Sequence, residues 1–270
     1  MKQLHPPTLV RRSVALEGEI TMQKLPYTVA HRGLSASFPE NTARAFQESL
    51  QLNVDWIELD VIMTADDIVI VSHDTTAERC TDGSGAFRLK SLKEVKMLDA
   101  GSWFATQFVG ERIPTLNEVI DMVEPTTTRL CIEIKGDAPE DYLVNARATV
   151  SLLRERQFLR QVSLSSFDPG CLIAIREWEP RLSTNFDPTP QDGTLSAWEL
   201  CQQCLVAGAN FISHKYETLM PELIEEARSH GLAVWAWTVN DEEAMRQMAA
   251  LEVDAILTDD AAQLQRILAH

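Results

Sequence analysis

The sequence predicts an α/β protein, a (β/α)8 TIM barrel with a small insertion after the second strand. Three observations lead there. Short β-rich runs alternate with longer helical patterns, the signature of a parallel sheet with crossover helices. The β-rich runs number eight, the count that closes such a barrel. The chain has 270 residues, and a barrel of this kind uses about 250.

The strand candidates are residues 28–30, 56–63, 130–135, 162–165, 182–186, 211–213, 233–239 and 255–258. Helical patterns fall between them, at 42–50, 116–123, 140–156, 169–178, 195–207, 221–230, 241–250 and 261–268. Several carry boundary signals. Asn41 precedes an Ala-containing amphipathic turn and is a candidate N-cap; Asn240 could cap the helix at 241; Gly231 follows His230 as a C′ glycine. One stretch breaks the rhythm. Thr64-Ala65-Asp66-Asp67 reads as a turn, and the short apolar run after it extends the second strand as a hairpin. From Asp74 to Pro114 no clear helix–strand unit appears, so residues 74–114 read as an insertion at the barrel mouth, where such loops carry function. The expected organisation is an N-terminal extension at 1–25 and one barrel domain at 26–270.

Composition narrows the function. Hydrophobic residues make up 45% and charged residues 24% of the chain, ordinary for a globular protein. No apolar run reaches the roughly 18 residues of a membrane span. The first 20 residues hold Pro6, Pro7, Arg11, Arg12, Glu17 and Glu19 with no apolar core after the basic pair, which is not a secretory signal, so a cytoplasmic protein is expected. A second start at Met22 fits the same reading. The net charge of −16 argues against general nucleic-acid or anionic-membrane binding, which would want a basic surface. It does not exclude a small anionic substrate, because salt screens distant charge beyond about 8–10 Å. Five scattered cysteines suggest no disulfide framework, and the Cys201/Cys204 pair lacks the second pair a zinc site needs.

Alternation along the strands places the chemistry. In Trp56-Ile57-Glu58-Leu59-Asp60-Val61, Glu58 and Asp60 share one face and the aliphatic residues the other. In Cys131-Ile132-Glu133-Ile134-Lys135, Glu133 and Lys135 share a face in the same way. In a barrel the aliphatic face meets the helices, so three carboxylates converge inside. Burying them is costly unless they are paired or bound to a cation. All-oxygen ligation suits Mg2+ or Ca2+; a buried salt-bridge network with Arg32 and Lys135 is the bland alternative.

Two histidines close strands. His31 ends the first, beside Arg32 and Gly33; His73 ends the hairpin strand, beside Asp74. Barrel active sites lie at the C-terminal strand ends, and imidazole can serve as acid or base near neutral pH. The ordinary alternative is two unrelated histidines satisfied by local partners. Of the rest, His5 and His270 lie at the termini, His230 ends a helix, and His214 follows a strand beside Lys215. Arg32 and Lys135 are the candidate phosphate cations, the first as a fork and the second as a point charge. Trp235 and Trp237 share the inward face of the seventh strand candidate; Trp237, nearer the mouth, could wall the pocket.

Taken together, His31-Arg32-Gly33, Pro39-Glu40-Asn41-Thr42, Glu58-Leu59-Asp60-Val61, the stretch from Thr64 through His73-Asp74, Ile113-Pro114-Thr115-Leu116, Glu133-Ile134-Lys135 and Trp237-Thr238-Val239-Asn240 resemble the glycerophosphodiester phosphodiesterase family, in the family's order. The resemblance runs from residue 28 to the last barrel strands; the opening 20 or so residues have no counterpart. It implies metal ligation by Glu58, Asp60 and Glu133, general acid–base roles for His31 and His73, phosphate contacts from Arg32 and Lys135, and a place for Glu40 at the site. Two departures are modest: Cys80 follows Arg79 where the family often has threonine, and Ala261 follows Asp260 where proline is common. The implied reaction is metal-dependent hydrolysis of a small-molecule glycerophosphodiester to glycerol 3-phosphate and an alcohol. The nucleophile is water or the substrate's own hydroxyl. A lysophospholipase D- or C-type enzyme on the same barrel is the rival, but it needs an apolar groove or a membrane-docking helix, and no basic amphipathic helix is present. A non-catalytic binding protein would have no reason to keep both histidines and all three carboxylates.

Overall fold

A computed structural model describes residues 25–188 and 195–269. His5, the start at Met22, nearly all of the N-terminal extension, and His270 lie outside the described residues.

Among the described residues nine strands form one sheet: β1 (Tyr27–His31), β2 (Trp56–Met63), β3 (Val69–Val71), β4 (Arg129–Ile134), β5 (Val162–Ser166), β6 (Ser183–Phe186), β7 (Phe211–Lys215), β8 (Ala233–Trp237) and β9 (Ala255–Thr258). Eight of them run parallel in the order β1-β9-β8-β7-β6-β5-β4-β2, and β2 pairs again with β1 to close the barrel. β3 is the exception. It folds back antiparallel on the upper half of β2, with Val61 opposite Val71, through a turn in which Thr64 Oγ1 receives the N–H of Ile68. The hairpin is therefore present, and β3 occupies the edge of β2 above the point where β1 ends.

The helices are α1 (Ala43–Gln51), α2 (Leu92–Val95), α3 (Leu116–Val123), α4 (Pro139–Glu155), α5 (Pro169–Trp178), α6 (Ala197–Val206), α7 (Pro221–Ser229), α8 (Glu242–Ala250) and α9 (Ala261–Leu268). Among the described residues no helix is long and apolar enough to cross a membrane. The caps differ from expectation at two places. Thr42, not Asn41, caps α1 by accepting the N–H of Ala45. Asp241, not Asn240, caps α8 by accepting the N–H of Ala244. The one-residue shifts leave both asparagines free for the site. The stretch from 74 to 114 is less irregular than expected: it holds α2, with a Ser91/Glu94 capping box, and a small core of Ile62, Ile70, Phe87, Val95 and Ile113. A four-residue helix is too short to leave a periodic signal.

Strand alternation divides the interior in two. Ile57, Leu59 and Val61 join Ile132, Ile134 and Leu164 in the main apolar core under the helices. The opposite faces point into the barrel. There Trp56, Phe211 and Trp235 fill the N-terminal end with Val29 and Ala255; Trp235 stacks on Phe211 at 5.3 Å and meets Trp56 edge-on at 5.2 Å. Trp235 is thus a plug residue. Above this apolar floor the inward positions turn polar. Register sets Asp60 beside Glu133, Glu133 beside Ser165, and Ser165 beside Asn185. Both members of the Cys201/Cys204 pair are buried in the main core, where they serve as small apolar side chains.

Candidate active site

The loop after β1 is built by backbone chirality. Arg32 and Gly33 both have positive φ, 57° and 82°. A Cβ on Gly33 would sit 2.7 Å from the Cβ of Ala45, so only glycine lets this turn pack on α1. The turn aims the Arg32 N–H at Glu58 Oε2, 3.0 Å away. The Pro-Glu-Asn-Thr segment completes the frame. Thr42 bonds the Pro39 carbonyl as well as capping α1. Asn41, at φ 58°, donates from Nδ2 to Asp60 Oδ2 at 2.9 Å. Glu40 accepts from Arg32 Nη1 at 2.8 Å and from both terminal nitrogens of Arg79 at 2.8 Å. Each residue of the motif therefore has a separate task.

Glu58, Asp60 and Glu133 each bring one oxygen to a common spot, all within 4.8 Å of one another. Glu58 and Asp60 are buried at 4% and 1% exposure. Lys135 Nζ lies 3.2 Å from Asp60 Oδ1 and 2.5 Å from Glu133 Oε1. Apart from these ion pairs, both oxygens are buried with no other hydrogen-bond partner. The charges feel this crowding. Burial, reinforced by Asp60 and Glu133, pushes the Glu58 carboxyl well above its ordinary range. Burial also pushes Glu133 up, to about 8, against the pull of Lys135. Asp60 goes the other way: burial would raise it, but Lys135 and Arg32 outweigh that and hold it low.

This donor set fits a hard divalent cation. Three carboxyl groups crowd one buried spot, and that crowding pushes Glu58 and Glu133 toward their neutral forms. A divalent cation held by their oxygens would favour the charged forms instead, and oxygen-only ligation is what Mg2+ and Ca2+ select. Part of the salt-bridge alternative is present as well: Lys135 contacts Asp60 Oδ1 and Glu133 Oε1, and Arg32 Nε lies 3.4 Å from Asp60 Oδ2.

The two histidines flank the cluster. His31 Nε2 lies 3.9 Å from Glu58 Oε2, and its Nδ1 meets Asp259 Oδ1 at 2.7 Å. His73 Nδ1 meets Asp74 Oδ1 at 2.7 Å; burial favours its neutral form and Asp60 opposes that. Asp74 is in turn gripped by Arg79 at 2.6 Å. Arg79 and Asp259 were not singled out from the sequence. Asp259 follows the last strand, where a search of all strand ends would have found it. Arg79 lies in the insertion and carries no such mark.

His31, Arg32, Glu58, His73, Glu133, Lys135 and Trp237 line one cavity of about 260 Å³ at the C-terminal face of the barrel. Asp60 lies beneath it. Glu40 stands behind Arg32, between the two arginines. Trp237 meets Phe167 edge-on at 6.1 Å, and Lys215 lies over its ring. His214 turns its Nδ1 to the backbone of Lys215 instead, and His230 ends α7 as expected.

Known proteins share the sequence pattern and the fold of this chain. The sequence pattern of the Glycerophosphoryl diester phosphodiesterase family matches residues 31–263. A glycerophosphodiester phosphodiesterase of Caldanaerobacter subterraneus is 36% identical over 237 residues, covering 86% of this chain and 93% of that protein. One from Bacillus subtilis is 31% identical over 267 residues, covering 92% and 88%. The fold of an Oleispira antarctica phosphodiesterase, solved with the product sn-glycerol-3-phosphate, superposes with a TM-score of 0.82 at 26% identity, covering 91% of this chain and 98% of that one. A sequence pattern, full-length relatives and a fold that agree over nearly the whole chain establish that it belongs to the glycerophosphoryl diester phosphodiesterase family.

Proposed function

We propose that the protein hydrolyses glycerophosphodiesters to glycerol 3-phosphate and an alcohol at the cavity above the barrel, with Glu58, Asp60 and Glu133 as ligands of Mg2+ or Ca2+. The observation that carries this reading is the convergence of three carboxylates, two histidines and two cations on one cavity. A bound cation would draw charge from the phosphoryl oxygens. Arg32 and Lys135 bind the same anion, and Glu40 holds the Arg32 fork in place from behind. The two histidines divide the proton work. One takes a proton from the attacking water as its oxygen bonds to phosphorus; the other gives a proton to the alkoxide as the P–O bond breaks. Asp259 and Asp74 fix the orientation of each imidazole through Nδ1. Trp237 closes one side of the cavity as an apolar wall.

A turnover assay tests the reading. Glycerophosphocholine and glycerophosphoethanolamine should both release glycerol 3-phosphate, with kcat/KM within about tenfold, a difference of about 1.4 kcal/mol. Bis(p-nitrophenyl) phosphate should be far poorer despite its better leaving group. Equal turnover of the nitrophenyl diester would replace this reading with that of a broad phosphodiesterase.

A further inference from the structure

The inner wall formed by β5, β6 and β7 has no part in the chemistry above, yet it is polar and lines the same cavity. Ser165, Asn185, Asp187 and Ser213 all face it, and all four are buried. Their hydrogen bonds run in one direction. Ser165 Oγ donates to Asp187 Oδ2. Asn185 Nδ2 donates to Ser213 Oγ at 2.7 Å. That assignment leaves Asn185 Oδ1 as an acceptor, and it is buried with no partner. The residue is 1% exposed.

A buried amide oxygen without a hydrogen bond is a costly feature unless a ligand satisfies it. Ser165 spends its proton inside the wall, and the wall presents Asn185 Oδ1 and the Asp187 carboxylate as acceptors. Such a wall selects a ligand that donates. The hydroxyls of a glycerol group are donors of this kind.

We propose that Asn185 and Asp187 are specificity residues that read the free hydroxyls of the substrate's glycerol half, through Asn185 Oδ1 and the Asp187 carboxylate, while Ser165 holds Asp187 and Ser213 holds Asn185 in place. This rests on the glycerophosphodiester reading and names its glycerol subsite. The leaving alcohol then faces the open mouth of the cavity.

The test pairs two substrates with three proteins. Glycerophosphocholine is compared with propyl phosphocholine, which lacks both hydroxyls, in the native enzyme and in Asn185→Leu and Asp187→Asn. The native enzyme should prefer the glycerol diester by about a hundredfold or more in kcat/KM, since polar groups built for a hydroxyl are left unpaired by its absence. Each substitution should cut that preference to less than about tenfold, mainly by lowering kcat/KM for the glycerol diester. Should both substrates lose rate equally, the wall is structural and the inference fails. Binding of sn-glycerol 3-phosphate against propyl phosphate, measured by calorimetry, gives the same comparison without turnover; an unchanged preference in either variant overturns the inference. Absence of glycerol phosphate release by the native enzyme would instead strike the underlying function, a separate and distinguishable result.

Discussion

His31 Nδ1 lies 2.7 Å from Asp259 Oδ1, although 228 residues separate the two in the chain. Barrel closure makes the contact, because β1 and β9 are neighbours in the sheet. Asn240 and Ser35 hold the same carboxylate. The arrangement fixes which imidazole nitrogen faces the cavity. Asp259→Ala should therefore lower kcat by about 10- to 100-fold, the usual effect of losing an orienting partner, with KM little changed. Asp259→Asn keeps an acceptor for Nδ1–H and should recover part of the loss. An alanine variant with normal kcat would remove Asp259 from the mechanism.

The histidines themselves should matter more. His31→Ala and His73→Ala should each reduce kcat by about 10²–10⁴-fold. The double variant should lose far less than the product of the two, because the pair acts as a unit. Steady-state kinetics on glycerophosphocholine decides this; near-native turnover in either single variant rules out that histidine.

Chelation should abolish activity, and added Mg2+ or Ca2+ should restore it. Glu58→Gln, Asp60→Asn and Glu133→Gln should each weaken cation binding measured by calorimetry, since each removes a charged oxygen ligand. The cation should also raise the melting temperature of the native protein through linkage. Full activity after exhaustive chelation, with no metal by elemental analysis, would favour the salt-bridge network.

Far from the cavity, Glu179 gives a pH-dependent prediction about stability. It is 3% exposed, after α5, and pairs with Arg181 and Arg154. Hydrogen bonds from Arg181 hold its carboxyl at about 2, against burial and helped by Arg154. A depressed folded pKa contributes stability above the unfolded value of about 4.3 and loses it as pH falls through the folded one. Glu179→Gln should cost about 1.5–3 kcal/mol at pH 7. The gap between native and variant should narrow below about pH 4.3, as followed by urea unfolding. A gap that stays constant down to pH 2 would assign the loss to packing.

Much of this protein is written in local pattern. A period of two along 56–61 and 131–135 already turns Glu58, Asp60 and Glu133 to one face and the aliphatic residues to the other. Strand ends mark His31 and His73, and the eight strands imply closure. These features are legible because they depend only on neighbours a few residues apart. The caps at Thr42 and Asp241 slipped by one residue, since Asn and Thr or Asn and Asp stand side by side and either can cap; tertiary demand decides which one is released to the site. The rest required the closed barrel. Glu40 between Arg32 and Arg79, Asp259 behind His31, and the one-way hydrogen bonds of Ser165, Asn185, Asp187 and Ser213 join residues from different strands and loops. No periodicity in the sequence records such contacts, because they are set by strand register and sheet closure, which bring distant side chains within a few ångströms only after the whole chain has folded.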